Sequence, residues 1–127
     1  KIASHLVNDW YYAYKISLSN DANFYYVLQP NLFTAGSNYD YFNKQDKLYL
    51  EIYKKQFEAV YPLVIKEIEE KCTLDKRFCS SFIDGRKWIN HDNQVFIDYC
   101  HVTEEGNEII TKKLISQIRF LKPIKVN

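Results

Sequence analysis

The sequence predicts an α/β fold in which helices pack against parallel strands. Helical periodicity recurs in three segments, and short apolar runs lie between them. These runs are apolar at consecutive positions, which is typical of strands buried on both faces of a parallel sheet. Hydrophobic residues make up 46% of the 127 residues, which is enough for the core of one domain. Since only two or three strands are visible, we expect the chain to form part of a larger sheet.

The chain begins with a predicted helix, because apolar residues recur every four positions, at Ile2, Leu6, Trp10 and Tyr14. Polar residues at 19–21 end this pattern. Residues 24–28, with the sequence FYYVL, are then predicted to form a buried strand. Pro30 ends the strand, since proline cannot donate a hydrogen bond to a central ladder.

A long loop is predicted at residues 31–46, which are rich in turn-forming residues. Ligands bind beyond the carboxyl ends of parallel strands, so this loop is either a lid over a site or a plain surface loop. Gln29 and Asn31 directly follow the strand. We expect them either to line a substrate pocket or to cap the turn.

A second helix is predicted at residues 47–71 from a fourfold spacing of apolar residues: Leu48, Ile52, Val60, Val64 and Ile68. Pro62 predicts a kink or a break within it. Residues 72–80 are predicted to be a connector. Its two cysteines, Cys72 and Cys79, can close a short loop in an oxidising compartment, and the sequence leaves the compartment open.

The last third of the chain is predicted to contain two short strands and a helix. The strands are expected at residues 82–84 and 95–98. Thr103 is a predicted N-cap, with two glutamates in the first turn, where negative charge suits the helix dipole. The inward stripe of this helix is Ile110, Leu114, Ile118 and Leu121, and Pro123 is expected to end it.

Charge and hydropathy exclude several classes of function. Seventeen Lys and Arg residues balance sixteen Asp and Glu residues, so nothing favours binding to nucleic acid. No apolar run is long enough to span a membrane. No cofactor is expected, and no metal site either, since no Cys-x-x-Cys occurs. His91 and Asp92 with His101 are suitable metal ligands by type, but nothing in the sequence fixes their geometry.

Candidate catalytic residues lie between the last apolar run and the last helix. Asp98 and His101 stand three positions apart there. In a turn at a sheet edge, the carboxylate can hold one imidazole nitrogen while the other nitrogen faces a substrate. This is the base and the orienting group of a catalytic triad. Cys100 is expected to pack inward rather than act as a nucleophile, because adjacent residues of an extended segment point to opposite sides.

The stretch VFIDYCHVTEEGNEII at 95–110 resembles the last sequence block of the SGNH/GDSL hydrolases, a family of esterases and acyl hydrolases. The matching residues are Asp98, His101, Thr103, Gly106 and Asn107. Upstream, FYYVLQPNLF at 24–33 resembles the strand end that carries the sequence LQP in a bacterial subgroup of that family, and residues 82–84 resemble the segment before the last block. The resemblance implies a three-layer α/β/α, flavodoxin-like sandwich with parallel strands, in which His101 is the general base and Asp98 orients it.

The family's other blocks have no match. No Gly-Asp-Ser occurs, so the nucleophilic serine is missing, and so are the oxyanion-hole residues. The resemblance therefore implies the C-terminal portion of a serine ester hydrolase acting on an acyl ester, for which an acylated carbohydrate is one candidate. We expect the chain to be inactive alone and to require a missing N-terminal half or a partner chain, or to form a homo-oligomer through its uncovered sheet. The alternative is a non-catalytic α/β interaction or binding module.

Overall fold

The computed structural model describes residues 1–34, 36, 40–90 and 94–120 of the chain. Helices dominate this part of the chain. In chain order, the elements are α1 (Ile2–Ser19), β1 (Tyr26–Leu28), α2 (Lys44–Leu74), α3 (Lys76–Ser80), β2 (Phe82–Asp84) and α4 (Glu104–Phe120). None of the helices among the described residues is both long enough and apolar enough to cross a membrane.

The sheet is much smaller than predicted. β1 and β2 pair in parallel, with Tyr26 opposite Phe82 and Leu28 opposite Asp84, so the parallel direction is confirmed. The described residues form no further strand of a sheet. The predicted three-layer α/β/α sandwich is therefore wrong: the structure is a mostly helical domain with one two-stranded sheet.

The prediction failed at the apolar run 95–97, which folds back on itself. Phe96 forms an isolated antiparallel bridge with Val102. The Ile97 amide donates to the His101 carbonyl at 2.8 Å, and the Thr103 amide donates to the Val95 carbonyl at 2.8 Å. Because these backbone groups find partners a few residues along the chain, they are not available to a neighbouring strand.

α1 packs against α2 and buries only part of the predicted stripe, since Tyr14 is buried and Trp10 packs against the core. Its buried residues are Ala3, Val7 and Tyr14, whereas Ile2 is 73% exposed. Phe78 from α3 is fully buried in the same cluster and stacks on Tyr26, with ring centroids 4.4 Å apart. This aromatic cluster covers one end of the sheet and forms the larger of two cores.

α2 begins at a strong N-cap, where the Asn43 side chain accepts hydrogen bonds from two backbone amides of the first turn, each at 2.9 Å. The helix continues through Pro62, so of the two predicted outcomes, a kink or a break, the break is wrong. Only the C-terminal half of the predicted stripe is buried. Val64 and Ile68 lie in the larger core, whereas Leu48 is 69% exposed.

The predicted connector is instead a short helix closed by a disulfide. The Asp75 carboxylate caps α3 and also pairs with Lys15 at 3.2 Å. Cys72 and Cys79 form a disulfide that joins the end of α2 to α3. This is the pairing that the sequence left open.

A second core holds the C-terminal part of the chain together. Its buried residues come from the loop after β1, from α2 and from the segment before α4: Leu32, Leu50, Ile89, Val95 and Phe96. On α4, the predicted residues Ile110 and Leu114 are half-buried and Ile118 is 37% exposed. The predicted positions Leu121 and Pro123 lie outside the described residues.

Candidate functional site

The two candidate catalytic residues meet in a tight turn at residues 97–101. Asp98 Oδ1 accepts hydrogen bonds from the backbone amides of His101, at 2.7 Å, and Cys100, at 2.8 Å. This leaves Asp98 Oδ2 facing the imidazole, and Oδ2 lies 2.7 Å from His101 Nδ1. One oxygen thus shapes the turn while the other contacts the ring.

Hydrogen bonds within the segment and from the loop after β1 hold the turn in place. Its two ends are closed by the backbone hydrogen bonds between residues 95–97 and 101–103 described above. The Leu32 amide donates to the Tyr99 carbonyl at 3.1 Å, and the Tyr41 hydroxyl donates to the Phe96 carbonyl at 2.8 Å. The segment after β1 therefore supports the turn that carries the dyad, meaning the pair Asp98 and His101.

The imidazole is open to solvent while its orienting contact is partly shielded. The His101 side chain is 73% exposed, and that of Asp98 is 41% exposed. No described residue forms a hydrogen bond with His101 Nε2, so this nitrogen is accessible. With the proton on Nδ1, the ring donates to Asp98 and presents the Nε2 lone pair outward.

Hydrogen bonds keep the orienting group ionised. Burial by itself raises the pKa of the Asp98 carboxyl, but the backbone amide of His101, the imidazole and the Cys100 amide all donate to it and outweigh burial. Its pKa consequently lies below the ordinary value. A carboxylate that stays charged at neutral pH is the form that stabilises an imidazolium.

Stability should depend on this contact only above acidic pH. A lowered folded pKa adds stability that is complete above the ordinary pKa and is lost as the pH falls through the folded value. We therefore expect Asp98→Asn to be less stable than the wild type at about pH 7, and the difference to be smaller at about pH 3, below the ordinary pKa of an aspartate. Urea unfolding at both pH values measures it. A difference of the same size at both pH values would contradict the assignment.

Cys100 lies on the same side as the imidazole, contrary to the prediction that it packs inward. Its Sγ is 3.7 Å from His101 Nδ1, because the segment turns rather than extends. Burial, followed by the nearby Asp98 charge, raises the pKa of the Cys100 thiol. The thiolate is the reactive form of cysteine, and a raised pKa disfavours it. The surroundings of Cys100 therefore do not favour catalysis by this residue.

Asn31 performs the turn-capping role that was one of its two predicted functions. Its Oδ1 accepts from the amides of Phe33, at 2.9 Å, and Thr34, at 3.0 Å, and the side chain is fully buried. Gln29 is exposed, and its backbone carbonyl accepts a hydrogen bond from the Tyr61 hydroxyl. Among the described residues, no hydrogen bond links Gln29 or Asn31 to the dyad. Of the other candidates, His91 and Asp92 lie outside the described residues.

A cavity of about 240 Å³ adjoins the dyad on the Asp98 side. Four of its eight described lining residues are aromatic, and one of its walls is the pair Tyr53 and Tyr99, whose rings stack with centroids 4.0 Å apart. Tyr49, one helical turn before Tyr53, also lines it and is 57% exposed. Sequence reasoning missed this cavity, although the spacing of two tyrosines on one face of α2 was its available signal. A larger cavity, of about 570 Å³, lies beside the disulfide and includes neither dyad residue.

Gly106 lets α4 approach the turn closely. A Cβ atom at this position would lie 2.6 Å from Val102 Cβ and 3.2 Å from Val95 Cβ. Alanine favours a helix over glycine by about 1 kcal/mol, but overpacking of this kind costs about 1–3 kcal/mol.

We therefore expect Gly106→Ala to lower the free energy of unfolding, as measured by urea titration. Asn107→Ala, at the exposed neighbouring position, is the matched control and should change it by less than about 0.5 kcal/mol. Stabilisation by alanine at position 106 would show that the close approach is absent.

In comparisons with known proteins, no family model, no curated protein and no solved structure matches this chain. The site is a carboxylate–imidazole pair, Asp98 and His101, whose imidazole is largely open to solvent.

Proposed function

We propose that this chain carries the base and the orienting group of a serine ester hydrolase of the SGNH/GDSL type. The observation that supports it is the 2.7 Å contact between Asp98 and an imidazole that is otherwise open to solvent. The proposal rests on this site and on the residues of the last sequence block, not on the sandwich fold, which the structure lacks.

In the proposed reaction, His101 Nε2 accepts the proton of a serine hydroxyl as the serine oxygen bonds to the ester carbonyl carbon. The imidazolium that forms is stabilised by Asp98. Nε2 then returns the proton to the departing alkoxide, which leaves as an alcohol. In the second half of the reaction, Nε2 accepts a proton from water as the water attacks the acyl-enzyme, and it returns the proton to the serine oxygen. The products are the acid and the free serine.

On this proposal, the nucleophilic serine comes from polypeptide outside this sequence. Among the described residues, none of the serine hydroxyls forms a hydrogen bond with His101; their bonds run to nearby backbone carbonyls. Two features leave room for an additional segment. Within the part of the chain that the structure describes, each strand of the sheet pairs on one side only, and the exposed face of α2 carries Leu48 and Ile52.

The cavity beside Asp98 is the best candidate for the acyl or alcohol group of the substrate. Its phenol rings offer flat apolar faces with hydroxyl groups at the edge, which suit a sugar or an aromatic group. An acylated carbohydrate fits both the ester chemistry and this lining.

The test uses the complete product of the gene that encodes this sequence, with any polypeptide that flanks it. We expect a fluorophosphonate probe to label one serine outside residues 1–127, and His101→Ala to abolish the labelling. His5→Ala, which alters an exposed histidine on α1, is the matched control and should label normally. The 127-residue chain alone should hydrolyse p-nitrophenyl acetate no faster than its His101→Ala variant.

Two results would overturn the proposal. One is a complete gene product that is folded but has no serine reactive toward the probe, which would favour a non-catalytic binding module. The other is labelling that His101→Ala leaves unchanged while circular dichroism shows an intact fold.

A further inference from the structure

Three different metal-ligand types converge in the turn that carries the dyad. Asp98, Cys100 and His101 each direct one donor atom to the same place, and these atoms all lie within 4.8 Å of one another. Asp98 and Cys100 are half-buried and His101 is exposed, so an ion can enter from solvent without a rearrangement of the core. We propose that these three residues form a binding site for Zn²⁺.

The distances match the size of a zinc coordination sphere. Zinc binds thiolate sulfur at about 2.3 Å and imidazole nitrogen at about 2.0–2.1 Å, so a tetrahedral angle separates these two ligands by about 3.6 Å. Cys100 Sγ and His101 Nδ1 are 3.7 Å apart. Two of the three donors are therefore already at the separation that the ion requires.

The third donor needs only a small adjustment. Asp98 Oδ2 lies 2.7 Å from Nδ1, whereas a tetrahedral zinc site separates oxygen and nitrogen ligands by about 3.4 Å. The backbone amides of Cys100 and His101 hold the carboxylate through Oδ1, so the exposed His101 ring makes the adjustment by a small rotation that opens the separation between Oδ2 and Nδ1. On binding, the thiol releases its proton to solvent, and the neutral imidazole carries its one proton on Nε2 instead of Nδ1, so that the Nδ1 lone pair binds the ion.

The donor set favours a borderline ion such as Zn²⁺ over Mg²⁺ and Ca²⁺. Thiolate and imidazole are ligands for borderline and soft ions, whereas Mg²⁺ and Ca²⁺ require oxygen ligands. Three protein ligands leave a fourth position open to water. The chain also simplifies the test, because Cys72 and Cys79 are joined in the disulfide and Cys100 is the remaining thiol.

The proposal is tested with the 127-residue chain in buffer without reductant, after thiol titration confirms one free thiol per chain. Isothermal titration with Zn²⁺ should show one ion bound per chain. Co²⁺ should produce a thiolate charge-transfer band in the near ultraviolet. Cys100→Ser should abolish this band, because it removes the thiolate. Both Cys100→Ser and His101→Ala should weaken Zn²⁺ binding by about tenfold or more. His5→Ala should bind like the wild type.

Binding that Cys100→Ser leaves unchanged, or the lack of a one-to-one binding event, would overturn the proposal. Zinc on Nδ1 also displaces the Asp98 contact, so Zn²⁺ should inhibit ester hydrolysis by the complete gene product; this consequence alone rests on the proposed function. The two proposals fail separately, because binding is measured without any substrate.

Discussion

Replacing His101 with alanine in the complete gene product should lower kcat for ester hydrolysis by about 10⁶-fold, because the serine hydroxyl then has no base to accept its proton. KM should change little, since Nε2 acts on the reacting atoms and does not hold the rest of the substrate. Steady-state kinetics with p-nitrophenyl acetate measure both constants. An equal loss in His5→Ala, or a loss confined to KM, would contradict the role of a general base.

Asp98→Asn tests the orienting role in the same assay. An asparagine can keep the two backbone hydrogen bonds that shape the turn through its Oδ1, but its amide nitrogen cannot accept the Nδ1 proton. The imidazole then favours the wrong tautomer, and kcat should fall by about 10⁴-fold. A smaller effect than that of His101→Ala is expected, because the base itself remains. A variant as active as the wild type would remove Asp98 from the mechanism.

The sequence could predict the contact between Asp98 and His101 because the two residues are close along the chain. Asp98 and His101 are three residues apart, and an aspartate at the start of a turn readily accepts backbone hydrogen bonds from the next residues. The spacing of the two residues and the turn-forming tendency of aspartate can both be recognised from the sequence alone. The position of Cys100 was mispredicted because the segment was assumed to be extended, and the aromatic cavity was missed because it joins α2 to a loop about fifty residues later.

The predicted sheet failed for a related reason. Short apolar runs do not reveal whether a strand pairs with another strand or with its own continuation. Residues 95–97 form backbone hydrogen bonds with residues 101–103, and Val95 and Phe96 are buried in a small second core instead of a sheet. The helices were predicted more reliably because 3.6-residue periodicity is local, but the buried face of α1 depended on tertiary contacts with α2 and α3.

The stability of the whole domain should depend most strongly on Phe78. Its side chain is fully buried and contacts the rings of Tyr11, Tyr14 and Tyr26, so α1, β1 and α3 all meet at this one residue. Removal of a buried phenylalanine ring costs about 3–5 kcal/mol, a large share of the stability of a small domain. We expect Phe78→Ala to lower the free energy of unfolding by this amount, or to leave the chain unfolded, as measured by urea titration of tryptophan fluorescence.

If Phe78→Ala does not fold, two further variants still test the prediction. Phe78→Leu retains most of the buried volume but loses the ring stacking on Tyr26, so it should fold with a loss of about 1 kcal/mol. Tyr12→Ala removes a ring of similar size that is 65% exposed on α1, and it should change stability by less than about 0.5 kcal/mol. Equal effects of Phe78→Ala and Tyr12→Ala would mean that α3 does not pack between α1 and the sheet, and the aromatic core described here would then be incorrect.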